Sequence, residues 1–218
     1  MSPYFDYERA VNAQRELSKL AVESVRGASR LSAPSTVIGL DVSYAGPRAI
    51  GVAVAYDVPR GRVTKYCYSV KDVHVPYVPG LLAFREAPAM ISALRRLEIE
   101  PDVILVNGHG ITHPRLFGIA SHVGLLARRP SVGVARRPLR SGFERDSRGL
   151  LRLGDLVGGG VISWEGAELY VSAGYGIRAE DALELIRGLL RPGRGLPSPL
   201  YEADAISKSL RKSFEHGA

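Results

Sequence analysis

Cysteine is almost absent from this chain: Cys67 stands alone among 218 residues. A single thiol excludes an intrachain disulfide framework and a cysteine-based zinc site. Inside a β-rich run it reads as a small hydrophobe with no chemical role. No apolar run approaches the roughly 18–20 residues that a membrane helix needs. The opening residues, Met1 to Arg9, lack the charged-then-apolar order of a signal peptide. A cytoplasmic protein that meets no membrane is therefore expected. Lysine is also scarce, occurring only at positions 19, 65, 71, 208 and 212.

What is present is ordinary globular material. Hydrophobic residues make up 45% and charged residues 23%, enough for one domain over 1–218 with a sizeable core. The 29 basic residues outnumber the 22 acidic ones, giving a formal charge of +7 and a pI of about 9.7. Released counterions reward a basic surface that meets phosphate, and arginine suits bidentate phosphate contacts. Charge alone does not separate such a face from a merely solvated one. It is, however, localised: between 128 and 152, eight arginines and two acids carry +6 of the +7. That stretch is expected to form one wall of a groove tracking a sugar–phosphate backbone.

Periodicity places a helix over 7–26, with apolar Val11, Leu17, Leu20, Ala21 and Val25 on one side. The core of the domain follows over 36–214. Strands are expected at 36–44, 49–56 and 62–70, separated by short turns. A helix over 82–97 and the continuous apolar strand 102–107 come next. Then follow a helix over 114–127, strands at 131–135 and 169–172, and helices over 179–190 and 203–214. This order describes an α/β fold, a mixed sheet with helices packed on its faces. Trp164, Tyr66 and Tyr68 read as core or sheet-surface residues, and the chain is expected to be a monomer.

Asp41 ends one apolar strand, Asn107 ends another, and Glu86 opens the helix over 82–97. Singly, these read as a turn former, a strand-end amide and compensation of a helix dipole. In open α/β sheets, however, functional groups gather beyond the carboxyl ends of strands. Oxygen ligands converging from two strand ends and a helix start suit Mg²⁺. Such a site can hold the attacking water and the leaving oxygen of a phosphodiester in line. His113, before Pro114 and Arg115 at an expected helix N-terminus, is placed to meet phosphate.

These residues sit in recognisable blocks. Thr36-Val37-Ile38-Gly39-Leu40-Asp41-Val42-Ser43-Tyr44 and Pro76-Tyr77-Val78-Pro79-Gly80-Leu81-Leu82-Ala83-Phe84-Arg85-Glu86 resemble the first two motifs of the endonuclease V family. Asn107-Gly108-His109-Gly110-Ile111-Thr112-His113-Pro114-Arg115, continuing through Gly118 to Gly124, is similar to its longest signature. Weaker matches follow at 133–136 and 170–174. The resemblance implies a ribonuclease H-like fold and a Mg²⁺-dependent nuclease, with Mn²⁺ as a substitute, acting on DNA with deaminated bases, chiefly inosine. Inosine-containing RNA is a second candidate substrate. The family nicks at the second phosphodiester 3′ of the lesion.

Carried over residue by residue, the resemblance makes Asp41, Glu86 and the Asn107 position metal ligands, with Asp204 as a supporting carboxylate. Tyr77 becomes the wedge behind a displaced base. Gly80, Leu82 and Gly108 line the base pocket, and His113 lies beside the reacting phosphate.

Two positions depart from the family pattern: Asn107 replaces aspartate and Arg136 replaces lysine. Asparagine offers one carbonyl oxygen but removes a negative charge and adds an NH₂ that cannot ligate. Arginine keeps the charge but cannot donate a proton near neutral pH. Three readings stay open. The chain is a nuclease that completes its metal shell with Asp204 or water. Or it is a homologue that binds inosine-containing or structured nucleic acid without efficient cleavage. Or an Asp-to-Asn exchange was introduced to trap substrate, which would account for Asn107 but not Arg136.

Overall fold

Alternation along β1 (Thr36–Ala45) decides how the molecule is layered. Ile38 and Leu40 face one way, into a cluster with Ala83, Ala87 and Met90 of α2 (Leu82–Leu97) and Val123 of α3 (Ile119–Ala127). Val37 faces the other way, into a larger cluster that holds Leu183 and Ile186 of α4 (Ala179–Leu189) and Leu200 of α5 (Ser198–His216). The short strand β4 (Val103–Asn107) repeats the division, with Val103 and Leu105 on the α5 side and Ile104 and Val106 on the α2 side. Each such side chain contributes about 1.5–3 kcal/mol when fully buried, which explains why β4 is apolar from Val103 to Val106. The computed structural model describes residues 5–216; Met1 to Tyr4, part of the stretch read against a signal peptide, lie outside them.

Among the described residues, nine strands form one mixed sheet in the order β3-β2-β1-β4-β5-β9-β8-β7-β6. Beyond β1 and β4 these are β2 (Arg48–Asp57), β3 (Arg62–Asp72), β5 (Ser131–Ala135), β6 (Glu144–Arg145), β7 (Leu150–Leu153), β8 (Leu156–Trp164) and β9 (Ala167–Tyr175). Only the central β1–β4 and β4–β5 pairs are parallel. The expected mixed sheet with helices on both faces is therefore present. Cys67 lies half-buried on β3, where its thiol donates to the Arg96 carbonyl.

Several boundaries differ from the sequence expectation. β1 does not end at Asp41 but runs on to Ala45, paired with β2 along its whole length. What ends there is its pairing with β4, whose last partners are Leu40 and Val106. The helix expected over 114–127 begins only at Ile119, because Leu116 adopts a left-handed φ of 53° that stops a helix from passing through it. His113 is therefore not at a helix N-terminus. Glu86 lies in the second turn of α2, not the first. The segment between 136 and 167 holds three unexpected strands, and in the longest of them, β8, Gly158, Gly159 and Gly160 suppress the usual strand signal. Helix α5 begins at Ser198, five residues before the apolar periodicity suggested.

Helix α1 (Tyr7–Arg26) crosses between regions. Its C-terminal half places Ala21 and Val25 in the core with α4, while Ala10 and Val11 pack on Leu81 just before α2. Leu20, expected on the apolar side, is exposed.

Helix α5 seats directly on β1 because Gly39 has no side chain: a Cβ there would lie 2.2 Å from the Pro199 carbonyl oxygen. Backbone on both sides leaves no flexible atom to yield. Gly39→Ala is expected to destabilise the protein by about 1–3 kcal/mol through overpacking. Thermal unfolding measures this, and an unchanged melting temperature would show that α5 is not held at this contact.

Candidate functional site

Just past the last β1–β4 partners, the two strands diverge and polar side chains take the place of the core. Asp41, on the α5 face of β1, is 5% exposed. Both of its carboxylate oxygens are engaged. The Asn107 Nδ2 at the end of β4 donates to Oδ1 at 2.9 Å, and the Ser207 hydroxyl on α5 donates to Oδ2 at 2.7 Å. Ser207 is itself clamped, its carbonyl accepting from Ser43 Oγ at 2.7 Å. Glu86 reaches this region from α2; its Oε1 accepts from Tyr44 Oη at 3.0 Å, and Arg85 Nε donates to the same phenol oxygen at 3.1 Å.

Both carboxyls titrate above their ordinary range. Burial is the main cause for Asp41, opposed by the bonds from Ser207 and Asn107 and reinforced by the nearby Asp204 charge. Burial likewise pushes Glu86 up to about 7, with the Tyr44 bond opposing and the Asp41 charge adding. Two buried carboxyls, each near enough to feel the other's charge, fit a divalent ion that prefers oxygen ligands. Because Asn107 turns its NH₂ toward Asp41, its carbonyl oxygen is the atom left to serve as a third ligand. Asp204 acts only at a distance: its side chain is tied to Lys208 Nζ at 2.6 Å. Among the described residues, no three His, Cys, Asp or Glu side chains stand together in metal-holding geometry.

A cleft of about 170 Å³ opens beside the carboxyls, lined by Tyr77, Gly80, Leu82, Gly108, His113 and others. Two elements serve both regions. The first turn of α2 supplies Leu82 to the cleft and the second supplies Glu86; β4 ends in Asn107, with Gly108 next in the chain. Gly108 has a φ of +150°, and a Cβ there would meet Ile119 Cγ2 at 2.4 Å, so only glycine keeps this wall open. His113 is buried, and its Nδ1 accepts from the Arg115 amide at 3.2 Å. Burial and the Arg115 charge hold its pKa near 4, so it is neutral at pH 7. Tyr77 stands at the mouth with 71% of its surface exposed.

The structure thus brings Asp41, Glu86 and Asn107 together, and separately gathers Tyr77, Gly80, Leu82, Gly108 and His113. Arg136 follows β5 on the surface, with its guanidinium beside Gly195. The arginine-rich stretch does not form one wall. Arg129 pairs with Glu100 near the start of β4, at the other end of the sheet. Arg145 pairs with Glu168, and Arg148 and Arg152 with Asp146, on the β6–β7 side. The stretch meets the cleft at 137–139, where Leu139 lines it and the Arg137 carbonyl bonds His109 Nε2 at 3.0 Å.

Sequence reasoning missed Ser207 and Gln14. Ser207 lies one helical turn beyond Asp204 on the same helix. Gln14 was detectable as the one polar residue on the buried face of α1, where it is fully buried.

Comparison with known proteins gives a consistent answer. The sequence profile described as endonuclease V matches residues 18–205. An endonuclease V from Desulfurococcus amylolyticus is 47% identical over 210 residues, covering 94% of this chain and 95% of its own. The crystal structure of the Streptomyces avermitilis endonuclease V superposes with a TM-score of 0.84 at 31% identity, over 95% of this chain and 94% of that one. The ribonuclease H-like arrangement of the sheet is shared with these structures. A Ciona intestinalis endonuclease V, crystallised with a 24mer DNA containing an inosine followed by a ribo-adenosine, has a TM-score of 0.84 at 23% identity, over 95% and 98% of the two chains.

The raised Glu86 pKa has a consequence for stability. A carboxyl that titrates higher in the folded state than in the unfolded one stabilises the fold at low pH. That contribution is lost as pH rises from about 4.5 through about 7. Buried His113 and His122, both held near pKa 4, act in the opposite sense, adding stability as pH rises toward 6.5, so the Glu86 contribution is read as a difference between two proteins. In chelator, Glu86→Gln, which cannot ionise, is expected to gain several degrees in melting temperature relative to the unsubstituted chain between pH 5 and pH 8; a difference that stays constant over that range would exclude Glu86 as a source of pH dependence.

Proposed function

The chain belongs to the endonuclease V family, and from that we propose a repair nuclease that recognises deaminated bases, inosine first among them. It nicks the strand at the second phosphodiester 3′ of the lesion by Mg²⁺-dependent hydrolysis, and Mn²⁺ can substitute. The observation that carries this reading is the adjacency of cleft and carboxyls. Helix α2 and the end of β4 each serve both, so a base held in the cleft would bring its own backbone to Asp41 and Glu86.

Asp41, Glu86 and the Asn107 carbonyl oxygen would hold the ion, with the Asp204 charge behind them. Bound there, such an ion would supply positive charge where a phosphodiester is hydrolysed. Ser207 and Asn107 orient Asp41 before anything binds. Tyr77, exposed and flanked by prolines, would fill the gap left by a displaced base. Gly80, Leu82 and Gly108 would contact that base, largely through main-chain groups. His113 is neutral at pH 7 and so meets a ligand as a hydrogen-bonding group, not as a charge. Arg136 would hold phosphate and cannot serve as the proton donor that a lysine could be. Crystallisation of the Ciona intestinalis relative with inosine-containing DNA supports the choice of such a strand as test substrate. The ribo-adenosine in that strand supports a parallel assay on inosine-containing RNA.

A second reading has its own observation. Both Asp41 oxygens already accept hydrogen bonds, one from an amide where the family has a carboxylate. The site therefore carries one negative charge fewer, which favours a protein that binds inosine-containing or structured nucleic acid and cuts it poorly.

Nicking of an inosine-containing strand in Mg²⁺ or Mn²⁺, measured for the chain and for Asn107→Asp, separates the two. Asn107→Asp is expected to tighten metal binding and raise nicking roughly 10–100-fold. A folded, DNA-binding Asn107→Asp that never cuts would overturn the nuclease reading. Strong nicking by the unsubstituted chain would overturn the second.

A further inference from the structure

The side chain of Gln14 is fully buried, lies on the cleft wall, and uses every hydrogen-bonding group it has. Its Nε2 donates to the Gly80 carbonyl at 3.0 Å and to the Phe117 carbonyl at 3.0 Å. Its Oε1 accepts from Arg115 Nε at 2.6 Å, and Arg115 Nη2 donates to the Gly80 carbonyl at 2.7 Å. Gly80 belongs to the turn that carries Tyr77, and Phe117 to the irregular segment ahead of α3. One amide on α1 therefore ties together the two loops between which the cleft opens. It does so from a position that precedes residues 18–205, the span the family profile matches.

The chemistry of this wall has a direction. A carbonyl oxygen has two acceptor sites, and the Gly80 carbonyl has both filled, one by Gln14 and one by Arg115. Phe117 has one filled by Gln14. Such a wall offers little to a base that presents an exocyclic amine, because a buried donor without an acceptor loses its hydrogen bonds to water and gains none. A base that presents a 6-oxo oxygen brings an acceptor at that atom, so its position 6 needs neither carbonyl, and its one edge donor, N1–H, is left to be met elsewhere. Adenine differs from hypoxanthine in this respect: it carries a donating 6-amino group where hypoxanthine has the oxygen.

We propose that Gln14 is a specificity-determining residue that caps the Gly80 and Phe117 carbonyls and so excludes amino-bearing bases from the cleft. The proposal rests on the base-recognition reading above and adds to it the residue that sets discrimination. Helix α1 then has a role in recognition as well as in packing. Arg115 works with it, holding the Gln14 amide so that its NH₂ faces the carbonyls and its oxygen faces the guanidinium.

The test measures binding in chelator, so that cleavage does not enter. Dissociation constants are taken for two strands that differ only in inosine or adenosine at one position. The proteins are the unsubstituted chain, Gln14→Met, and Gln14→Glu, which keeps the acceptor for Arg115 and loses both donors. The preference for inosine is expected to fall about tenfold or more in both variants, chiefly through tighter binding of the adenosine strand. A preference that stays constant, with both strands weakened alike, would assign Gln14 a purely structural role and overturn the proposal. Should Gln14→Met fail to fold, Gln14→Glu decides between these outcomes. If the unsubstituted chain itself shows no preference for inosine, the functional reading fails, and that result is distinct from the other two.

Discussion

The carboxylate of Asp41 is the constraint on which the remainder of the site depends. It is buried where β1 and β4 part, and it is tolerated because an amide from β4 and a hydroxyl from α5 each donate to one of its oxygens. A buried carboxylate without such bonds would cost several kcal/mol or take up a proton. Three elements of the fold thus meet at one group. Gly39 lets α5 approach, the β1–β4 pairing stops at Leu40, and Asn107 is the last residue of its strand. Each is a packing fact, and together they position a charge.

The cleft is governed differently. Its walls are loops, and loops hold shape only where their polar groups are satisfied. The Gly80 turn and the segment at 111–118 lean on α1 through Gln14 and on each other through Arg115. The carboxyls, held by β1, α2 and α5, and the cleft, held by loop-to-helix bonds, share α2 and the end of β4. The bonds made by Gln14 and Arg115 involve neither Asp41 nor Glu86, so the cleft can change shape without breaking the bonds that hold the carboxyls.

Much of this was legible in the sequence. The strands 36–44 and 102–107 and the helices 7–26 and 82–97 announce themselves because their apolar residues repeat with the period of the element. Asp41, Glu86 and Asn107 stand out as polar residues interrupting such patterns, and in the structure they converge. The resemblance to a family supplied roles that periodicity could not. Ser207 was invisible because its partner lies 166 residues away and serine in a helix carries no signal of its own. The strand β8 was hidden by glycines chosen for close approach, not for strand propensity. The arginines looked like one charged segment because sequence adjacency conceals ion pairs: Asp146 and Glu168 each hold partners from that stretch.

The site draws on residues far apart in the chain, and this bears on its synthesis. Asp41, Glu86 and Asn107 are made well before the hydroxyl that secures Asp41, which arrives only with α5. A nascent chain, folding from its N-terminus as domains do, can lay down β1 to β5 and still lack the group that completes the carboxylate cluster. Docking of α5 on Gly39 is then the step at which Asp41 gains its second hydrogen bond and the centre takes its final form.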